Sequence, residues 1–365
     1  MEVKFQNLDR LYSELKNELD EAYFTVMKNG TYIMGNELKL FEESYSKYCH
    51  SKYCVGTSSG LDALTIALRS LKIDKGSEVL VPADTYIATF IAVYNAGLKP
   101  VPIDVDEKTL EIDTNKIESK INNKTGVIMP VHLYYQTADM DEINNIAERY
   151  NLSVVTDAAQ AHGAKYKKRI AGSLAETECF SFFPTKNLGA LGDAGCIITK
   201  SEDIYEKSLE LRNYGTKKRY ISEVIGYNSR LDELQASFLR EKLKYLDKWN
   251  QRRRYIAHRY ITEIKGNNIT LPYVAEYANP NWYIFPIFSK ARDLIKSKLE
   301  KMGITTIVHY PVPPHLQPAF AYLHYNKHSF PVSYEIANTE LSLPMHPYLT
   351  DVEVDYIINA INVIG

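Results

Sequence analysis

Three kinds of residue in this chain could do chemistry together: a loop lysine, a strand-end aspartate and a run of small hydroxyl residues. Lys186 lies in FSFFPTKNLGALGDAGCIITK (180–200), between one expected strand and a Gly-rich turn that returns directly into another. A lysine at a sheet edge can form a Schiff base with an aldehyde if its amine is desolvated enough to be neutral near pH 7. Alone, a loop lysine is an ordinary solvated charge. Asp157, in TDAAQAHG (156–163), follows the apolar run LSVV, which puts it at the carboxyl end of a parallel strand, where open α/β sheets bind ligands. A carboxylate there can keep a pyridine nitrogen protonated, as pyridoxal phosphate needs when a Cα–H bond breaks. The plain alternative is an N-cap for the next helix. GTSSGLDALTIALRSL (56–71) opens a helix with small residues. The backbone N–H groups of Ser59 and Gly60, with the Ser58 hydroxyl, can cradle a phosphate favoured by the helix dipole. Ser181 precedes Lys186 by five positions and adds a hydroxyl. On its own the segment is equally a capped helix.

These residues need a sheet to bring them together, and residues 50–200 supply the pattern for one. EVLVP, KPVPID, GVIMPVHL and LSVVTDAA alternate with helical stretches at 87–96 and 139–150. Strand, helix, strand at this pitch predicts crossover connections and a mainly parallel sheet covered on both faces. After about Arg230 a long helical stretch, RLDELQASFLREKLKYLDKWNQRRRYIAHRYITEI, runs to near Gly266. Beyond it come an expected strand at WYIFPIF, a helix at ARDLIKSKLEKMG and a strand at TTIVHYP. The reading is α/β, with a large domain over 1–245 and a smaller C-terminal α+β domain over 246–365.

Length agrees with two domains, since 365 residues exceed the roughly 150 typical of one. With 43 Lys+Arg against 45 Asp+Glu, no global field draws the chain to nucleic acid or an anionic membrane. The N-terminal MEVKFQNLDR mixes charges and has no apolar signal-peptide core, and Tyr86–Leu98 is interrupted by Thr89 and Asn95. The expectation is a cytoplasmic protein with no membrane or nucleic-acid partner. Cys49, Cys54, Cys179 and Cys196 show no CxxC spacing and read as buried thiols. GALGDAG (189–195) is spaced GxxGxxG and precedes a strand, so it is no dinucleotide fingerprint, and no GxxxxGK[ST] loop marks an NTPase. No HExxH is present; His324 and His328 lie in a polar segment and read as solvent-facing, with no metal expected. Arg252, Arg253 and Arg254 read as a solvated helix face or dimer surface.

A cradle, a strand-end Asp and a loop Lys, in that order, resemble the fold type I aminotransferases that use pyridoxal phosphate. GTSSGLDAL, PADTYIAT, VHLYYQTADM, TDAAQAHGAKY, SFFPTKNLGALGDAG, GYNSRLDELQA and VHYPVPPHLQPAF together resemble the DegT/DnrJ/EryC1/StrS family of nucleotide-sugar aminotransferases, from about residue 30 to 350. The resemblance implies Lys186 as the Schiff-base lysine, Asp157 at the pyridinium nitrogen and Gln160 beside the ring hydroxyl. Tyr86 would stack on the ring, and Ser58, Ser59, Gly60 and Ser181 would hold the phosphate. Asn228 would reach the phosphate of the other subunit, making a homodimer a requirement. His162 would support Asp157 or the sugar, and His309, Tyr32 and Tyr214 would bind sugar. Three positions depart from the family: Tyr135 stands where Gly is usual, Leu61 where Thr is frequent and Tyr283 where His is common. Tyr135 would reshape the sugar pocket; Leu61 matters little if its N–H is the donor; Tyr283 has no role by analogy. Lysine at 186 is the transaminase residue, where the dehydratase branch carries His. The implied reaction moves an amino group from L-glutamate to C3 of a dTDP-3-keto-6-deoxyhexose, with a C4 aminotransferase and a pyridoxal phosphate-binding sensor as alternatives.

Overall fold

The computed structural model describes residues 1–364. Seven strands form its main sheet: β1 (Tyr53–Thr57), β2 (Glu78–Pro82), β3 (Lys99–Ile103), β4 (Thr125–Ile128), β5 (Ser153–Asp157), β6 (Thr177–Ser181) and β7 (Gly195–Thr199). Their spatial order is β1-β7-β6-β5-β4-β2-β3. β7 runs antiparallel to both neighbours, and the other six strands are parallel. Every residue of β2 and of β7 is buried. Such continuous apolar runs fit strands covered on both faces, and period-two alternation then sorts their side chains. Val79 and Val81 join one core and Leu80 the other, just as Cys179 and Phe180 separate on β6. All four cysteines are buried, as their sequence context implied.

Because six strands are parallel, their carboxyl ends share one sheet edge. Thr57, Asp157 and Ser181 end β1, β5 and β6 there, and antiparallel β7 begins beside them, with Gly195 opposite both Thr57 and Ser181. Helices return the chain between strands, among them α1 (Gly60–Ser70), α2 (Ile87–Asn95) and α3 (Met140–Tyr150). No described helix is long and apolar enough to cross a membrane.

The long helix expected after Arg230 is two helices, α4 (Glu233–Leu243) and α5 (Leu246–Glu263). At the break, Lys244 and Tyr245 N–H groups turn back to the carbonyls of Glu241 and Lys242, three residues away. Two shorter helices can aim their apolar faces at different cores, as Leu239 and Ile256 do. The C-terminal unit pairs β8 (Phe285–Phe288) antiparallel to β9 (Glu340–Leu343), flanked by α6 (Arg292–Lys301) and α7 (Asp351–Ile364). TTIVHYP is not a strand: Ile307 alone bridges to Ser342, and the His309 N–H goes to the Glu340 side chain instead of a neighbouring backbone. The first ten residues also depart from the expected division. Val3 bridges to Ile304, and Arg10 grips Glu353 with two bonds of 2.7 and 2.8 Å, so this segment packs on the C-terminal unit.

Candidate active site

The phosphate cradle is built by backbone approach. Ser59 caps α1, its hydroxyl accepting the Asp62 N–H at 3.1 Å. The Gly60 and Leu61 N–H groups that follow have no acceptor among the described residues, as expected at a helix start. Glycine is required twice here. A Cβ on Gly60 would stand 2.6 Å from the Ser181 Cβ, and one on Gly195 would stand 2.4 Å from the Ser59 carbonyl. Ser181 Oγ accepts the Phe183 N–H at 3.3 Å and keeps its own proton to give. Ser58 departs from expectation: its hydroxyl donates to Asp62 at 2.5 Å and lies 3.1 Å from Ser229 Oγ. That proton is committed to bracing the loop, which leaves the helix-start N–H groups and the Ser181 hydroxyl as the donors offered at this edge.

Asp157 ends β5 with 4% of its surface exposed. Burial raises its carboxyl above the usual range, opposed by the Thr89 hydroxyl (2.8 Å), the Ala159 N–H (3.1 Å) and the charge of Lys186. Lys186 is half-buried on the turn between β6 and β7, with Nζ 4.2 Å from the ring centroid of Tyr283. Tyr283, left without a role by analogy, is thus the aromatic face under the reactive amine, and its hydroxyl lies 3.3 Å from Thr185 Oγ1.

Two residues behind Tyr283 escaped the sequence reading. Arg253, expected on a solvated face, is 3% exposed and donates to the carbonyls of Trp282, Tyr283 and Met345. Helical period could have found it, since Arg253 falls three residues before Ile256 and four before Ala257 on the buried side of α5. Tyr135 is 1% exposed and stacks on Trp282 at 4.7 Å, with its hydroxyl on the Tyr273 carbonyl. It braces the segment that carries Tyr283 and does not line an open pocket, contrary to expectation.

His162 is also placed differently. It is fully buried, with ring centroids of Phe180 and Phe182 at 5.3 and 5.5 Å. Burial, chiefly, pulls its pKa down to about 3, so it is a neutral core residue whose ring makes no hydrogen bond to Asp157. Gln160 lies beside the site, but its Oε1 accepts the Tyr134 N–H at 2.6 Å and its Nε2 donates to Tyr310 OH at 3.1 Å. Tyr86 is 53% exposed, its ring 5.2 Å from that of Tyr310. His309 sits across the site, its pKa pushed down to about 4 by burial and then by the charge of Lys186. Tyr32, Tyr214 and Asn228 are exposed; Arg230 caps the Tyr214 ring at 5.3 Å, and Asn228 adjoins the Ser229 that touches Ser58.

One edge therefore presents unpaired helix-start N–H groups, a buried acid that lacks a cationic hydrogen-bond partner, and a lysine amine. Pyridoxal phosphate fits all three: its phosphate, its ring nitrogen and its aldehyde. The chain is 44% identical over 363 residues to a dTDP-3-amino-3,6-dideoxy-alpha-D-galactopyranose transaminase of Aneurinibacillus thermoaerophilus, covering 100% of this chain and 99% of the relative. It is 42% identical over 359 residues to the erythromycin biosynthesis sensory transduction protein EryC1 of Saccharopolyspora erythraea, covering 98% of each. Among solved structures, S. venezuelae DesV in complex with a ketimine intermediate superposes with a TM-score of 0.97 at 41% identity, over 99% of this chain and 98% of that one. The DegT/DnrJ/EryC1/StrS aminotransferase family model matches residues 13–362, and the chain belongs to that family, a transaminase whose cofactor is pyridoxal phosphate.

Proposed function

We propose that this aminotransferase moves an amino group from L-glutamate to C3 of a dTDP-linked 3-keto-6-deoxyhexose, giving a dTDP-3-amino-3,6-dideoxyhexose of galacto or gluco configuration. The observation that carries the reading is Lys186 facing Asp157 at one sheet edge beside the α1 cradle, in a chain similar over its full length to a 3-amino-3,6-dideoxy sugar transaminase. Pyridoxal phosphate, when bound, supplies an electron sink and carries the amino group between two half-reactions. The Ser59, Gly60 and Leu61 N–H groups, with the Ser181 hydroxyl, would hold its phosphate. Asp157, positioned by Thr89 and Ala159, holds positive charge at the ring nitrogen, and Tyr86 covers one ring face. Gln160 takes the ring-hydroxyl side with the amide proton that Tyr310 does not use. Lys186 Nζ takes the proton from Cα of glutamate and returns one to C3 of the sugar in the second half-reaction. His309 meets the sugar.

The reading includes a cytoplasmic homodimer. In the single chain Phe24, Ile33, Met34, Tyr220 and Ile225 are exposed by 40 to 88%, an apolar surface that a second copy would cover. Asn228, Tyr32 and Tyr214 belong to these segments and would complete the partner's site. A second reading, a pyridoxal phosphate-binding sensor, is favoured by the sensory transduction name of one relative.

A panel of dTDP-linked 3-keto and 4-keto 6-deoxy sugars with L-glutamate tests the proposal. Turnover with 3-keto compounds supports it; turnover with 4-keto compounds alone overturns the regiochemistry and spares the mechanism. Purified protein should be yellow and bleach with L-glutamate, whereas a sensor would keep its colour.

A further inference from the structure

Glu340 opens β9 with no exposed surface, and its two carboxylate oxygens hold one residue by two routes. Oε2 accepts the His309 N–H at 2.6 Å. Oε1 accepts the Ser342 hydroxyl, whose oxygen lies 2.9 Å from His309 Nδ1. Ser342 has a single proton, so this short chain has a direction. With Glu340 ionised, Ser342 donates to it and must accept from Nδ1–H, which leaves His309 Nε2 as a bare lone pair. With Glu340 protonated, the acid donates to Ser342, Ser342 donates to Nδ1, and the proton of the neutral ring sits on Nε2. The imidazole changes its offered group without changing charge.

Groups from several elements face this relay. Asp84, on the loop after β2, shares the Tyr134 hydroxyl with the His309 carbonyl, at 3.0 and 2.6 Å. Arg292, at the start of α6, donates to the Glu340 carbonyl at 3.0 Å. Lys186 acts on His309 from the cofactor side. Burial and the Asp84 charge push Glu340 up to about 8, against Ser342, the His309 N–H and Arg292, while His309 stays neutral near pH 7.

We propose that Glu340, acting through Ser342, decides whether His309 presents a lone pair or a proton at Nε2 to the keto sugar, and is a positioning residue for recognition of a sugar hydroxyl. This rests on the reading of His309 as a sugar-side residue. The juxtaposition of Glu340, Ser342 and His309 on β9 and the 307–310 segment is its basis.

Histidine-15N-labelled holoenzyme tests it directly by long-range proton–nitrogen spectra between pH 6 and 9, with the His309 signals assigned from His309→Ala. The wild type should lose its Nε2 proton as pH rises through the Glu340 titration. Glu340→Gln, whose amide can only donate toward Ser342, should keep Nε2–H throughout, and Ser342→Ala should uncouple the ring from pH. In kinetics, Glu340→Gln should hold the keto-sugar KM at its low-pH value throughout, so that it departs from wild type about tenfold only above the Glu340 titration, with less than threefold change in kcat for the glutamate half-reaction. A single tautomer at every pH in both wild type and Glu340→Gln overturns the proposal, as does an equal loss in both half-reactions. If His309→Ala leaves the keto-sugar KM unchanged while the tautomer still follows Glu340, the relay stands and the sugar-side reading of His309 fails.

Discussion

Asp157 and Glu340 are both buried carboxyls pushed up by loss of water, on opposite walls of one site, and their surroundings differ in kind. Asp157 is held by a hydroxyl, a backbone N–H two residues on and the charge of Lys186, a set that favours the ionised form and leaves it ready for a cation. Glu340 has hydrogen bonds of similar number, but a second acid, Asp84, adds to its difficulty and its cation, Arg292, binds its carbonyl. Burial thus raises both acids, and the fold then sets one against the charge of Lys186 and the other beside a second acid. The difference is set by which charges the fold brings near, since both sites are almost equally dry.

The largest way to break this contrast is to remove its cation. Lys186→Ala should lower amino-sugar formation by more than about 10³-fold, since it deletes the group that moves the proton; steady-state product assays would detect retained turnover, which would refute the assignment. Asp157→Asn sharpens the contrast, with losses of about 10²- to 10³-fold expected in both half-reactions, measured as bleaching by glutamate and recovery with keto sugar. Glu340→Gln, by comparison, should alter the sugar half only, and only above the pH at which Glu340 ionises. Arg253→Met addresses the scaffold behind Tyr283: three buried carbonyls lose their donor, so urea unfolding should show a loss of about 2–4 kcal/mol.

The proton balance gives a fourth test. Asp84 is pushed up to about 7 and Glu340 to about 8, so between pH 6.5 and 8 the native state binds protons that the unfolded chain has lost. The Glu340 share is a loss of about 1–2 kcal/mol over that window as pH rises, read as the difference in apoenzyme stability between wild type and Glu340→Gln. His132, His162 and His346, near 3, His309, near 4, and Lys242, near 8, act oppositely within the same window in both proteins, because the unfolded chain binds protons there that the native state refuses. Urea melts of both proteins at three pH values would decide, and a difference that stays constant with pH would contradict this account. The smallest effect is expected at His162, where Phe should cost less than about 1.5 kcal/mol and leave turnover near wild type, because the ring is already in an apolar cage.

Much of the cofactor wall was legible in the chain because its residues are local to strand ends. Asp157 follows its strand, Ser59 and Gly60 open a helix, and Lys186 sits in a turn between two paired strands. A rule about where strands finish is enough to place such residues at one edge. His162 obeyed the same rule in position and failed it in direction, since its ring turned into the aromatic core. The opposite wall resisted reading for a different reason. Its contacts join residues far apart in sequence, such as Tyr134 with His309 and Arg253 with Met345, and no local pattern encodes them. Arg253 shows the cost of charge counting: three arginines in a row read as solvent-facing, although a helix rotates each to a different side.

What this sequence determined by itself is the alternation of apolar runs and helices that makes a parallel sheet, and the small residues and lysine that sit at its carboxyl edge. Periodicity and backbone sterics act over a few residues, so they survive in one dimension. Which ring lies under the amine, which acid faces a cation and which histidine meets the site were decided only by tertiary packing. Those outcomes depend on distances between segments separated in sequence, as Lys186 is from Tyr283 and Tyr134 from His309, and on the water that their approach removes.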